Sequence, residues 1–264
     1  MNIALVSMDA SGGLADARWR LMETIPQACE LDADIICFPE FSNSGFPTDD
    51  YETDLSLAET IPGLLTDAIG DIAKEYGKHI AIGLLERDGE NLFDTALLIN
   101  PAGEIQLKYR RISPHWRKKD AEFYREGDDL PITETPYGKM AFLICGDLFD
   151  DDILELAHAQ EPDFVIIPMA RCLDGRTYDN DLWREELTHY EKQVRELGCD
   201  SFLVNLYTDK SHGAYVGGSA YIDRLGKARV TGPLGQPIII FLSITPGTGK
   251  LSGLGIIPIK TQSS

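Results

Sequence analysis

Cysteine is too scarce and too irregularly spaced to organise this chain: five in 264 residues, an odd number, with no C-x-x-C. That excludes a disulfide framework or a zinc ribbon as the basis of the fold, and a reducing cytoplasm is the expected setting. Long apolar runs are missing as well. No stretch approaches the ~20 residues needed to span a bilayer, and the opening M-N-I-A-L-V-S-M-D carries no basic leader, so a soluble, unprocessed chain is expected. Positive charge is in short supply: 24 basic residues against 43 acidic ones leave a net charge of −19, which opposes nucleic acid or an anionic membrane as partner. A small anionic substrate stays open, because a few arginines in a pocket outweigh a surface field screened within about 10 Å. The five histidines show no metal-ligand spacing, so no metal site is expected from them.

What is present is an apolar core of ample size, 43% of the residues being hydrophobic, arranged as short buried runs alternating with amphipathic stretches. Strands are expected over 3–6, 35–38 and 79–85, and helices over 14–31, interrupted by Pro26, and over 63–76. Residues 96–100 and 104–109 form a hairpin around Asn100-Pro101-Ala102-Gly103. The order then recurs. Strands over 140–144, 164–167 and 202–206 alternate with helices over 151–159 and 183–198, and a second hairpin joins 219–223 to 227–230. The echo of D-A-D-I-I-C-F-P-E in E-P-D-F-V-I-I-P-M supports a duplication. Two mixed sheets, each covered by helices on one face, give an α/β four-layer α-β-β-α sandwich with internal pseudo-duplication. Residues 1–246 are read as one domain, and the Gly-, Ser- and Thr-rich stretch 247–264 as a C-terminal tail, either a docking arm or loose.

Three strand ends carry reactive side chains, and strand ends are where α/β proteins place their chemistry. Glu40 follows the second strand, Arg111 the first hairpin, and Cys145 the strand over 140–144. A buried core cysteine is the plainer reading of Cys145 taken alone. A thiol with a carboxylate base and a cation, however, is a complete kit for acyl transfer: a group to take the proton, a sulfur to attack, and positive charge to hold the oxyanion.

Phe38-Pro39-Glu40, Tyr109-Arg110-Arg111 and Ile144-Cys145-Gly146-Asp147 resemble, in order and approximate spacing, the three signatures of the nitrilase (carbon-nitrogen hydrolase) superfamily. The similarity runs from residue 3 to about residue 240. It implies a four-layer sandwich, dimeric or larger, that hydrolyses non-peptide C–N bonds of small amide, carbamoyl or nitrile compounds without cofactor. It also implies that Glu40 is the general base, Cys145 the nucleophile that forms a thioester, and the Gly146 N–H part of the oxyanion hole. Asp120 or Glu122 would order the cation or the substrate, and Arg171 would line the pocket. His115, just beyond Arg111, is a further candidate for substrate contact.

The departure from the pattern lies at the cation, where the family has a lysine and this chain has Arg111. Arginine keeps the charge but is a poor proton donor, with a pKa of about 12 or higher. Lys108 falls on the opposite face of an extended segment, being an odd number of residues away. Either Arg111 serves electrostatically, or another lysine (Lys118 or Lys119) enters the pocket, or hydrolysis is impaired. The last case leaves a ligand-binding protein that has kept the fold.

Overall fold

Residues 3–6 and 35–37 are buried at every position, which a strand achieves only when both faces of its sheet are covered. Parity along β1 (Asn2–Ser7) shows by what. Ile3 and Leu5 belong to the cluster shared with the second sheet, whereas Ala4 and Val6 belong to a cluster with helical residues such as Ala17, Leu21, Leu65 and Ile69. Alternate side chains of one strand thus build two different cores.

The computed structural model describes residues 1–11, 14–48, 50–114, 116, 122–173, 178–209 and 215–260. After β1 come α1 (Leu14–Cys29), β2 (Ile35–Cys37), α2 (Tyr51–Leu57), α3 (Leu64–Tyr76), β3 (His79–Asp88), β4 (Asn91–Ile99) and β5 (Ile105–Arg110). The short β6 (Tyr124–Arg125) and β7 (Ile132–Thr135) lead to β8 (Gly138–Phe142), a 3-10 turn over Cys145–Phe149, and α4 (Asp151–Ala159). Then follow β9 (Phe164–Met169), α5 (Asn180–Leu197), β10 (Asp200–Asn205), β11 (Ala220–Asp223), β12 (Lys227–Thr231), β13 (Ile238–Thr245) and β14 (Lys250–Pro258).

Among the described residues the strands form two mixed sheets, ordered β14-β13-β1-β2-β3-β4-β5, with β6 beside β4, and β12-β11-β10-β9-β8-β7. In each, three parallel strands are followed by two antiparallel ones: β1-β2-β3-β4-β5 in one and β8-β9-β10-β11-β12 in the other. The duplication read from the local echo is therefore present in the topology. α1 and α3 cover the outer face of the first sheet, α4 and α5 that of the second, and the inner faces meet in one core.

Three expectations need correction. Pro26 does not interrupt α1, which continues to Cys29; so near the helix end the ring forfeits a single hydrogen bond. The strand before Cys145 stops at Phe142 and the thiol stands in the turn that follows. Nor are residues 250–258 loose: β14 pairs with β13 along its length and forms an edge of the first sheet. No helix among the described residues is long and apolar enough to cross a membrane.

Candidate active site

The segment beyond β2 does not end at the sheet but runs on beside β3. Phe38 N–H donates to the Ala81 carbonyl (2.7 Å), Gly83 N–H to that of Pro39 (3.1 Å), and Ser42 N–H to that of Gly83 (2.9 Å). Glu40 sits at this crossing, fully buried, and Phe41 turns the chain with a positive φ of 53°. Gly83 makes the crossing possible. A Cβ there would lie 2.7 Å from Glu40 Cα and from the Pro39 oxygen, closer than packed atoms come.

Arg111 follows β5, its N–H held by the Asp94 carbonyl at 2.8 Å. Register decides which way the neighbouring cations face. Lys108 and Arg110 both bond Glu86 on the other side of the sheet, while Tyr109 and Arg111 point inward. The inward guanidinium is almost completely buried: Nη1 donates to Glu40 Oε1 at 3.0 Å and to Asp94 Oδ2 at 3.4 Å, and Nε to Ser113 Oγ at 2.9 Å.

Cys145 opens the 3-10 turn with φ at +45°, a left-handed conformation that a side chain adopts only when its surroundings impose it. Asp147 ties down the turn around it. Its Oδ2 accepts from Ile144 N–H (2.8 Å) and the Tyr109 hydroxyl (2.7 Å), and its Oδ1 from Ser113 N–H (2.8 Å). One buried carboxylate thereby ties the nucleophile turn to the segment that carries Arg111. Gly146 presses against that arginine, since a Cβ on it would stand 2.4 Å from Nη2.

Arg111, Cys145 and Gly146 share one wall of a cavity of about 370 Å³. Phe149 and Tyr190, edge to face with centroids 4.9 Å apart, supply apolar surface. Arg171 and His189 also reach it, Arg171 in a two-pronged ion pair with Glu186 at 2.9 and 3.2 Å. Glu40 stands behind Arg111, joined to the cavity wall by the ion pair. Burial and then the Glu40 charge push the Cys145 thiol well above its ordinary range, against the pull of Arg111 and a backbone hydrogen bond with Ala170. Burial and then Glu40 also push Asp94 well above the usual carboxylate range. Burial works against the Arg111 charge, but its acidic neighbours, Glu40 foremost, outweigh it and hold the guanidinium protonated.

Of the residues named from sequence, Glu40, Arg111, Cys145, Gly146 and Arg171 are brought together. Glu122 is exposed and is not on the cavity wall. His115 and Asp120 lie outside the described residues, as do Lys118 and Lys119. Phe149 stands on the wall, while Trp183 belongs to the core and Tyr207 packs against Tyr178. Asp94 and Glu186 are not among the residues named from sequence, and Asp147 appears there only as part of the motif with Cys145. Asp94 had a signal, a charged residue inside the apolar run L-F-D-T-A-L-L-I. Among the described residues no group of three or more His, Cys, Asp or Glu is placed to hold a metal ion.

The fold has close counterparts. A glutamate-to-glutamine variant of the amidase from Nesterenkonia sp. AN1, carrying acrylamide added at its active-site cysteine, superposes with a TM-score of 0.76 at 16% identity, over 92% of this chain and 93% of that one. A CN-hydrolase superfamily protein from Xanthomonas campestris, with an arsenic adduct in its active site, gives 0.74 at 18% identity, over 92% and 90% of the two chains. In sequence, a formamidase of Bacillus cereus (strain Q1) is 37% identical over 130 residues, 47% of this chain and 38% of that protein. A bifunctional nitrilase/nitrile hydratase of Lupinus angustifolius is 26% identical over 199 residues, 69% of this chain and 54% of that protein. The match thus spans roughly two fifths to a half of these relatives' own length. The carbon-nitrogen hydrolase family model matches residues 1–241, a span that holds both sheets' parallel strands and every residue of the cluster around Cys145. The chain belongs to the carbon-nitrogen hydrolase family.

Proposed function

We propose that the protein is a cysteine amidohydrolase that cleaves a non-peptide C–N bond of a small linear amide or carbamoyl compound through a thioester on Cys145. The observation that carries this reading is the ion pair of Arg111 with Glu40, 3.0 Å long, directly behind the cavity that Arg111 and Cys145 both line. The cavity's volume lies within the range of small-molecule sites. Relatives named as a formamidase and a nitrilase, and amidases of the same fold, agree with it.

Cys145 stays a thiol until substrate is bound, because burial and Glu40 disfavour the free thiolate. Its proton moves to Glu40 as the sulfur attacks the carbonyl carbon, and Arg111 and the Gly146 N–H face the oxyanion. On collapse, the departing nitrogen takes the proton from Glu40 and leaves as ammonia or amine. Water, giving a proton to Glu40, then attacks the thioester. The carboxylic acid departs and the proton returns to the Cys145 sulfur. Arg111 acts throughout by charge, since it remains protonated.

Iodoacetamide labelling that is lost in Cys145→Ala, together with ammonia release across a panel of small amides and carbamoyl compounds, tests the proposal. Turnover undiminished in the alanine variant would refute it. The arginine in the lysine position favours one rival, a ligand-binding member without turnover. In that case ligand binds but nothing is released, and Arg111→Lys gains hydrolysis. We further read the protein as a cytoplasmic homodimer or larger homo-oligomer, which light scattering on the purified chain checks.

A further inference from the structure

The cluster behind the nucleophile holds more buried acid than one cation can balance. Glu40, Asp94 and Asp147 are all buried, and Arg111 is the one cation the described residues place among them. Asp147 is provided for, because three N–H and O–H donors saturate its oxygens. Glu40 and Asp94 are not. Both lean on the same Nη1 of Arg111, at 3.0 and 3.4 Å, and the second oxygen of each, Glu40 Oε2 and Asp94 Oδ1, is buried without a hydrogen-bond partner. Two ionised carboxylates sharing one guanidinium leave a net buried negative charge, which proteins avoid by retaining a proton.

We propose that Asp94 is a positioning residue that works as a neutral acid: it and Glu40 hold one proton between them around Arg111, and this leaves the guanidinium free to face the oxyanion. The inference rests on the amidohydrolase reading of the site. With Asp94 neutral, Arg111 has a single anionic partner in the pair, Glu40. When Glu40 takes the Cys145 proton, that partner is neutralised and the arginine's charge turns to the oxyanion forming on the substrate. An ionised Asp94 would capture Arg111 at that moment and oppose the oxyanion with its own charge. Arg111 cannot relieve the surplus by giving up a proton, so the exchangeable proton resides on the carboxyl pair.

Burial and the neighbouring Glu40 charge favour the neutral form of Asp94 in the resting protein. The charged and titratable groups that face it among the described residues are Glu40 from the segment after β2, Arg111 after β5, and Cys145 and Asp147 from the turn after β8. Glu86, Lys108 and Arg110 form a separate cluster on the other side of the sheet. A group whose pKa is raised by folding keeps its proton until the pH passes the raised value, so activity declines on the alkaline side as Asp94 ionises.

The test compares kcat/KM against pH for the wild-type enzyme and Asp94→Asn, with the infrared carbonyl stretch of buried carboxylic acids recorded on both and on Glu40→Gln. Expected is an Asp94→Asn profile that keeps its acid limb and loses the alkaline one, so that its ratio to wild type rises with pH. Expected too is a protonated-carboxyl band in the wild type at neutral pH that is lost in Asp94→Asn and in Glu40→Gln, since removing either partner ends the sharing. A profile lowered by one constant factor at every pH overturns the proposal, and so does a wild-type spectrum without the band or a band that survives in both variants. If Asp94→Asn does not fold, the wild type and Glu40→Gln decide by the same criterion. Should the wild type hydrolyse no amide, the amidohydrolase reading fails, whereas the infrared band still decides the protonation of Asp94.

Discussion

The guanidinium of Arg111 occupies the space in which a side chain on Gly146 would begin, Nη2 standing 2.4 Å from where that Cβ would be. The arginine and the residue after the nucleophile are therefore fitted to each other. A forked cation, bulkier than lysine, is accommodated because its neighbour has no side chain.

Gly146→Ala follows directly. The added methyl group must displace Arg111 from between Glu40 and the cavity, while Cys145 keeps its place. Loss of an oxyanion donor typically costs about 10²–10³ in kcat, and a loss of that order is expected with iodoacetamide labelling of Cys145 retained. Unimpaired kcat would show that Arg111 contributes nothing to the rate.

Asp147→Asn should act on stability first. The carboxylate accepts from two backbone N–H groups and one hydroxyl, and an amide must turn its own N–H towards one of those donors. An unsatisfied buried donor costs about 1–3 kcal/mol, so the urea midpoint should fall with the slope unchanged. A midpoint equal to that of the wild type would mean that the turn is held by something else.

The thiol should behave as a weak acid in the resting protein. Burial and the Glu40 charge raise it well above its ordinary 9.0, so at neutral pH it is protonated. The rate of alkylation at Cys145, followed by peptide mass spectrometry, should keep climbing as the pH passes 9.0 rather than level off there. Arg111→Ala removes a charge that lowers the thiol pKa, and alkylation at any given pH should slow further. A plateau near neutrality would contradict the ordering of these effects.

At the cavity wall, Arg171 and Glu186 balance each other at 2.9 and 3.2 Å. Arg171→Ala leaves the carboxylate to dominate. With hydrogen bonds to charged groups worth roughly 1.5–3 kcal/mol, the ratio of kcat/KM for a cationic over an anionic amide should rise by about tenfold or more. An unaltered ratio would place the charged end of the substrate elsewhere.

What could be read in advance, and what could not, divides along the range of the interactions. Residues 151–159 were legible as a helix to the residue because Asp150 caps it from the sequence itself, its side chain accepting from the Asp152 and Ile153 N–H groups. The pairing of Lys108 with the outer face followed from alternation alone. β6 and β7 are too short for a period to register, and the two glycines and the serine of β14 resemble a loop until β13 lies alongside. Arg111 could be named but its partners could not. Asp94, 17 residues away, and Glu40, 71 away, meet it only across paired strands.

Local periodicity and turn chemistry were enough to reveal the alternation of strands and helices, the repeated order of the two halves, and a carboxylate, a guanidinium and a thiol each following a strand. That Arg111 must serve two buried carboxylates, that Asp147 ties down the nucleophile turn, and that Glu122 stays in solvent emerged only from the packing of distant segments. The balance of charge in a buried cluster is set by which side chains packing encloses together, and no local stretch of chain carries that information.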